Sequence, residues 1–162
     1  MIRPVELLDC KAIADIYNYY IETTVITFEE VPILVSEMQN RVNEIRKLFP
    51  YLVYEENGEI LGYAYVDAFH SRSAYRFTLE DSIYVRNGCQ GKGIGKALLN
   101  ELLNEVKKTD THSIMAKIAL PNERSVKLHE AFGFKNVGTL KEVGRKFDKW
   151  LDVGYWELIL CP

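Results

Sequence analysis

Long hydrophobic runs are missing from this 162-residue chain. No apolar stretch approaches the roughly 18 residues a membrane span needs, so no membrane partner is expected. The opening MIRPVELLDCKAIADIY places Glu6, Asp9 and Asp15 where a secretory signal would be apolar. Cysteine is scarce. Cys10, Cys89 and Cys161 are odd in number, widely spaced and form no CxxC pair, which argues against a zinc or dithiol redox motif. A reducing cytoplasm is the simplest expected compartment. His70 and His112 are isolated, so no metal is expected. No dense Lys/Arg block appears, and 20 basic against 23 acidic residues leave a net charge of −3. That balance disfavours a nucleic-acid partner. No repeat, low-complexity tract or Pro/Gly/Ser linker divides the sequence, so residues 1–162 read as a single domain.

Against these absences stand 48% hydrophobic and 27% charged residues, which are globular values. A chain of this length buries about 70% of its unfolded surface, enough for a core without disulfides. Ile2 to Val5 reads as a short strand. Asp9 is a candidate N-cap for a helix bearing Ile13, Ile16, Tyr17 and Tyr20. Ser36 to Phe49 reads as a second helix, with Ser36-Glu37-Met38-Gln39 as a capping box and Pro50 as its stop. Tyr51 to Glu55 and Ile60 to Ala68 flank Asn57-Gly58, a type I′ hairpin signal. Strands are expected at Phe77–Val85, Ser113–Leu120, Lys135–Lys146 and Asp152–Leu160, with a short helix from Ser125 to Phe132. The order implies an α/β fold with a mixed, mostly antiparallel sheet flanked by helices.

The most informative stretch is Val85-Arg-Asn-Gly-Cys-Gln-Gly-Lys-Gly-Ile-Gly-Lys-Ala-Leu-Leu99. A strand feeds a glycine loop. A helix then starts within it, because Ile94, Leu98, Leu102 and Val106 recur every four residues. Glycine lets an anion approach the backbone, and free amides with the helix dipole favour phosphate there. The alternative is a tight turn with no ligand. A Walker loop is excluded, since Ala97 follows Lys96 where Ser or Thr would bind magnesium. A Rossmann loop needs GxGxxG near the start of a βαβ unit, whereas these glycines run GxGxG after several strands.

Gln90-x-x-Gly93-x-Gly95 resembles the acetyl-CoA signature of the GNAT superfamily of N-acetyltransferases. Asn122-Glu-Arg-Ser-Val-Lys-Leu-His-Glu-Ala-Phe-Gly-Phe134 resembles that superfamily's second block. Within it, Arg72-Ser-Ala-Tyr75, Glu80-Asp-Ser-Ile-Tyr-Val85 and Trp150-Leu-Asp-Val-Gly-Tyr-Trp156 are most similar to the phosphinothricin and methionine sulfoximine acetyltransferase group. Leu151 stands where that group usually carries His. The resemblance implies two strands splayed apart around acetyl-CoA. Ile83, Tyr84 and Val85 would pair with the pantetheine arm. The backbone of Gln90, Gly91, Lys92, Gly93, Ile94, Gly95 and Lys96 would hold the diphosphate, and Asn122 and Ser125 would flank the arm. Asn122 also suits a turn or an N-cap. A small amine acceptor and a homodimer are implied as partners.

Acetylation of an amine needs its lone pair, so a base is useful at neutral pH. Glu80 is the candidate base, with an exposed strand carboxylate as the alternative. Asp81 would face the other way. His129 occupies the place of the superfamily's thiolate-protonating tyrosine and is the candidate acid, or else a packed helix histidine. Arg72 and Tyr75 are candidates for recognising the acceptor's anion, since guanidinium binds carboxylate or phosphinate in a fork. Phe28 and Glu29 are candidate walls of the acceptor pocket. Cys89 is read as a spectator. Two rival functions stay open: acetylation of a protein or peptide, and a non-catalytic acyl-CoA sensor.

Overall fold

The computed structural model describes residues 1–160. Cys161 and Pro162 lie outside the described residues, and with them the reading of Cys161. Seven strands form one sheet: β1 (Ile2–Pro4), β2 (Tyr51–Glu56), β3 (Glu59–Ala68), β4 (Thr78–Val85), β5 (Ser113–Leu120), β6 (Lys135–Lys146) and β7 (Lys149–Ile159). Their spatial order is β1-β2-β3-β4-β5-β7-β6. Only β4 and β5 run parallel; the other neighbours are antiparallel. Four helices cover the sheet: α1 (Cys10–Thr23), α2 (Val35–Arg46), α3 (Ile94–Val106) and α4 (Glu123–Ala131).

Side-chain alternation along the strands splits the core in two. On one face, Leu98, Leu99, Leu102 and Val106 of α3 pack on Leu52, Ala64, Val66, Leu79, Ile114 and Ala116. On the other, Ile13, Ile16 and Tyr20 of α1 and Val42 of α2 pack on Tyr51, Val53 and Tyr63. The apolar face of each helix is thus its reason for forming, each buried Leu or Ile contributing about 1.5–3 kcal/mol.

The Asn57-Gly58 hairpin forms as expected, with φ of 52° and 79°. Two capping expectations are corrected. Asp9 precedes α1, but its carboxylate makes no cap bond. Instead it accepts two 2.8 Å bonds from Arg3 and one from the Glu6 amide. A 3-10 turn over Leu7–Asp9 already leads the chain into the helix and leaves that carboxylate turned toward β1. The Ser36 capping box does not form, because the helix starts one residue earlier and Leu34, with no polar side chain, is its cap. The same helix ends at Arg46, three residues short of Phe49. The Phe49 side chain instead packs with the α3-side core.

Candidate active site

Thr78 and Ser113 share a 2.9 Å hydroxyl–hydroxyl bond where β4 and β5 begin side by side. The two strands pair only over Thr78–Glu80 and Ser113–Met115. From there β5 stays with β7 as far as Leu120, while β4 stays with β3. The wedge between them opens into a cleft of about 960 Å³ that reaches both faces of the sheet. Along it, the β5-facing edge of β4 at Ile83, Tyr84 and Val85 has no strand partner. An extended chain can add to such an edge.

At the end of β4 the glycine loop turns into α3. Gly91 and Gly93 take φ of 79° and 83°, left-handed values that residues with a Cβ adopt at a cost. Gly93 is the N-cap of α3, and the first helical bond runs from the Ala97 amide to its carbonyl. Among the described residues, no backbone amide from Gln90 to Lys96 donates to a protein acceptor. A Cβ built on Gly91 or Gly93 would meet nothing within 4 Å, so this cradle is open. Free amides, an open approach and the positive end of a helix together fit a diphosphate. Tyr20 braces the loop. Its hydroxyl donates to the Val85 carbonyl at 2.5 Å and accepts from Gln90 Nε2 at 3.3 Å.

Glu80 and Asp81 project to opposite faces of β4, as alternation requires. Glu80 is half-buried on the α1–α2 face and pairs with Lys117 Nζ of β5 at 2.5 Å. Burial pushes its carboxyl above the usual range; Lys117 opposes that push, and Asp81 and Asp67 add to it. On the same face the cleft is walled by Phe28, Leu140, Val143, Val153 and Tyr155. Phe28 lies against the Gly144 backbone: a Cβ there would sit 2.2 Å from its ring.

On the other face, buried Asp81 meets buried His129 of α4, Oδ2 to Nε2, at 2.9 Å. Nδ1 donates to the Ser125 carbonyl at 2.7 Å. With acceptors at both ring nitrogens, the arrangement suits the imidazolium. Burial lowers the His129 pKa, but the charge and hydrogen bond of Asp81 outweigh it, and the net direction is upward. Asn122 caps α4, its side chain accepting from the Ser125 amide at 3.2 Å, and it also lines the cleft. Cap and cleft wall therefore coexist in one residue.

The fold brings most of the candidate residues together. Glu80, His129, Ile83, Tyr84, Val85, Gln90, Gly91, Gly93, Ile94, Gly95, Lys96, Asn122, Ser125 and Phe28 all line the one cleft. Lys92, Glu29, Arg72 and Tyr75 do not. Lys92 is exposed on the outside of the loop. Glu29 is held by Arg41 and Tyr17. Arg72 and Tyr75 sit on an exposed 3-10 turn before β4. Leu151 is buried on β7 opposite Gly144, also away from the cleft lining. Lys117 and the Asp81–His129 pair escaped the sequence reading. Alternation pointed Asp81 away from Glu80, but nothing local indicated what it would meet. Among the described residues no three His, Cys, Asp or Glu side chains come together as a metal cluster.

A family model described as acetyltransferase (GNAT) domain matches residues 2–154. The chain belongs to the GNAT acetyltransferase family. It is therefore an acyltransferase, and the mixed seven-stranded sheet is that family's architecture. Phosphinothricin N-acetyltransferase of Streptomyces viridochromogenes is 38% identical over 156 residues, covering 96% of this chain and 85% of that protein. The L-methionine sulfoximine/L-methionine sulfone acetyltransferase of Salmonella typhimurium is 36% identical over 163 residues, covering 98% and 94%. A GNAT phosphinothricin acetyltransferase from Sinorhizobium meliloti, crystallised in complex with acetyl-CoA, superposes with a TM-score of 0.96 at 38% identity, covering 99% and 88%.

Proposed function

We propose that this GNAT acetyltransferase transfers the acetyl group of acetyl-CoA to the primary amine of a small amino-acid-like acceptor, of the phosphinothricin or methionine sulfoximine kind. The single observation that carries the reading is the wedge between β4 and β5. It joins a row of unpaired amides on one face to a half-buried carboxylate on the other. The relatives' names supply the acceptor class.

In this reading the amides of residues 90–96 hold the diphosphate, and the free edge of Ile83–Val85 aligns the pantetheine arm beside Asn122 and Ser125. Acetyl-CoA, when bound, supplies an activated acyl group. Glu80 accepts a proton from the acceptor's ammonium, exposing the lone pair for direct attack and a tetrahedral intermediate. An amide of the β4 edge stabilises the oxygen that becomes negative. His129, charged and held by Asp81, is the nearby proton source for the departing thiolate. Phe28 and the β6–β7 residues wall the acceptor.

The chain is further proposed to work as a homodimer in a reducing cytoplasm. Val137, Leu140, Val143, Phe147 and Trp150 lie exposed along the outer β6–β7 edge, a patch suited to a second copy. Among the described residues Cys10 and Cys89 are not joined to each other.

Thiol release on mixing acetyl-CoA with a panel of amines tests the reading. Free amino acids of the sulfone and phosphinate types are expected to release thiol, and peptides are not. Glu80→Gln is expected to lower kcat at least 100-fold, within the range for a lost general base, with CoA affinity unchanged. The defect should shrink at high pH, where free amine accumulates. An unaltered kcat at pH 7 removes Glu80 from the base role. Tight CoA binding with no release from any amine favours a sensor.

A further inference from the structure

Lys117 stands at the apex of the wedge with its Nζ on Glu80 at 2.5 Å and 5.2 Å from the centroid of the Phe69 ring. Its side chain keeps 30% of its exposure and Glu80 keeps 27%, so the pair faces the cleft and not solid core. Lys96 and Arg124 also line the cleft, but on α3 and α4, the diphosphate side. Among the described residues Lys117 is the one Lys or Arg on the acceptor-side lining. Opposite it on β7 is Tyr155, and Tyr155 is followed on the same strand face by Glu157. Asp67 of β3 lies across from Glu80 in the strand register, and Asp81 adjoins it on β4. On the Glu80 face of the cleft Lys117 thus stands beside Glu80, with Asp67 and Glu157 on the flanking strands.

While Lys117 grips Glu80, the carboxylate is a poor base, because its lone pairs are committed to an ammonium. We propose that Lys117 is the specificity residue that takes the acceptor's own anionic group, carboxylate or phosphinate, and that its transfer from Glu80 to that group uncovers Glu80 as the base. The inference rests on the acetyl-transfer reading above and adds to it which acceptors are turned over. An anion in the cleft becomes the trigger that arms the carboxylate. An uncharged amine leaves the ion pair closed. The proton balance is simple: the acceptor's ammonium loses N–H, Glu80 gains O–H, and Lys117 stays protonated throughout.

The test compares kcat/KM for methionine sulfone, its carboxamide and phosphinothricin, in the wild type, Lys117→Met and Lys117→Arg. The wild type is expected to prefer methionine sulfone over the carboxamide by about 10-fold or more, the scale of one charge-assisted hydrogen bond. In Lys117→Met that ratio should fall to about threefold or less, and Lys117→Arg should restore most of it. Collapse of the sulfone-to-carboxamide ratio assigns the contact to the α-carboxylate; selective loss of phosphinothricin assigns it to the side-chain phosphinate. The acid limb of the Lys117→Met pH profile should move upward, since Glu80 then lacks its cation. That shift follows from the ion pair alone; a merely structural lysine would leave the acceptor preferences unmoved. CoA titration by calorimetry reports whether the variant is folded. Lys117→Met that keeps both the wild-type sulfone-to-carboxamide ratio and the wild-type turnover of phosphinothricin overturns the proposal. Failure of every amine to release thiol overturns the acetyl-transfer reading itself and this inference with it.

Discussion

Removing the Asp81 carboxylate tests the α4 side of the cleft most directly. Asp81 and His129 are 7% and 5% exposed, so neither can turn to water when its partner goes. In Asp81→Ala the imidazole keeps the Ser125 carbonyl at Nδ1 but loses its partner at Nε2. It escapes the larger cost of an unpaired buried charge by deprotonating. What remains is an unsatisfied buried nitrogen, about 1–3 kcal/mol. For a domain of this size that lowers Tm by about 2–12 °C. Asp81→Asn restores a partner, since its amide N–H can donate to a neutral Nε2. Its cost at pH 8.5 should stay below about 1 kcal/mol. The pH dependence separates the two forms of the pair. The folded pKa of His129 is raised above that of an unfolded histidine. The stability it adds is therefore complete below about pH 6.5 and fades as pH climbs through the raised value. The Tm gap between wild type and Asp81→Asn should be wide at pH 6 and narrow at pH 8.5. Scanning calorimetry at both pH values measures it. A gap of equal size at the two values, or an Asp81→Ala variant as stable as wild type, refutes the charged-pair reasoning.

Two further perturbations probe the two ends of the cleft. Gly93→Asp puts a carboxylate where the diphosphate is proposed to sit; the left-handed φ of 83° costs it about 1–2 kcal/mol, partly offset by its place on the α3 dipole, so the fold should persist at reduced stability. CoA affinity should fall at least 100-fold by calorimetry, and an unchanged affinity would remove the loop assignment. Gly144→Ala drives a methyl into the Phe28 ring. Moving that wall should cost about 1 kcal/mol of acceptor binding, about fivefold in KM, with CoA binding intact; an unchanged KM would show that Phe28 does not shape the pocket.

Several features were legible because they depend on near neighbours. Asn57-Gly58 sets its hairpin through two local dihedral angles. Ile94, Leu98, Leu102 and Val106 define α3 by their spacing alone. The glycines at 91 and 93 take left-handed values that a residue with a Cβ adopts only at a cost, a property of the residue type itself. Boundaries were less legible. Ser36 looks like a cap but lies inside α2, because packing of Met38 and Val42 on the sheet decides where the helix begins, and a cap contributes only about 1 kcal/mol. Arg72 and Glu29 illustrate a second limit. A charged residue near a site in sequence can be turned to solvent, or claimed by another partner as Arg41 claims Glu29.

The amino-acid order by itself determined the elements, the glycine cradle and the alternation that sends Glu80 and Asp81 to opposite faces. Only the tertiary structure decided what each of those carboxylates meets: Lys117 across the wedge for one, and His129, 48 residues on, for the other. The physical reason is register. Which side chains face each other across β4 and β5 depends on where two distant strands stop pairing, and that point is set by the summed packing of both cores.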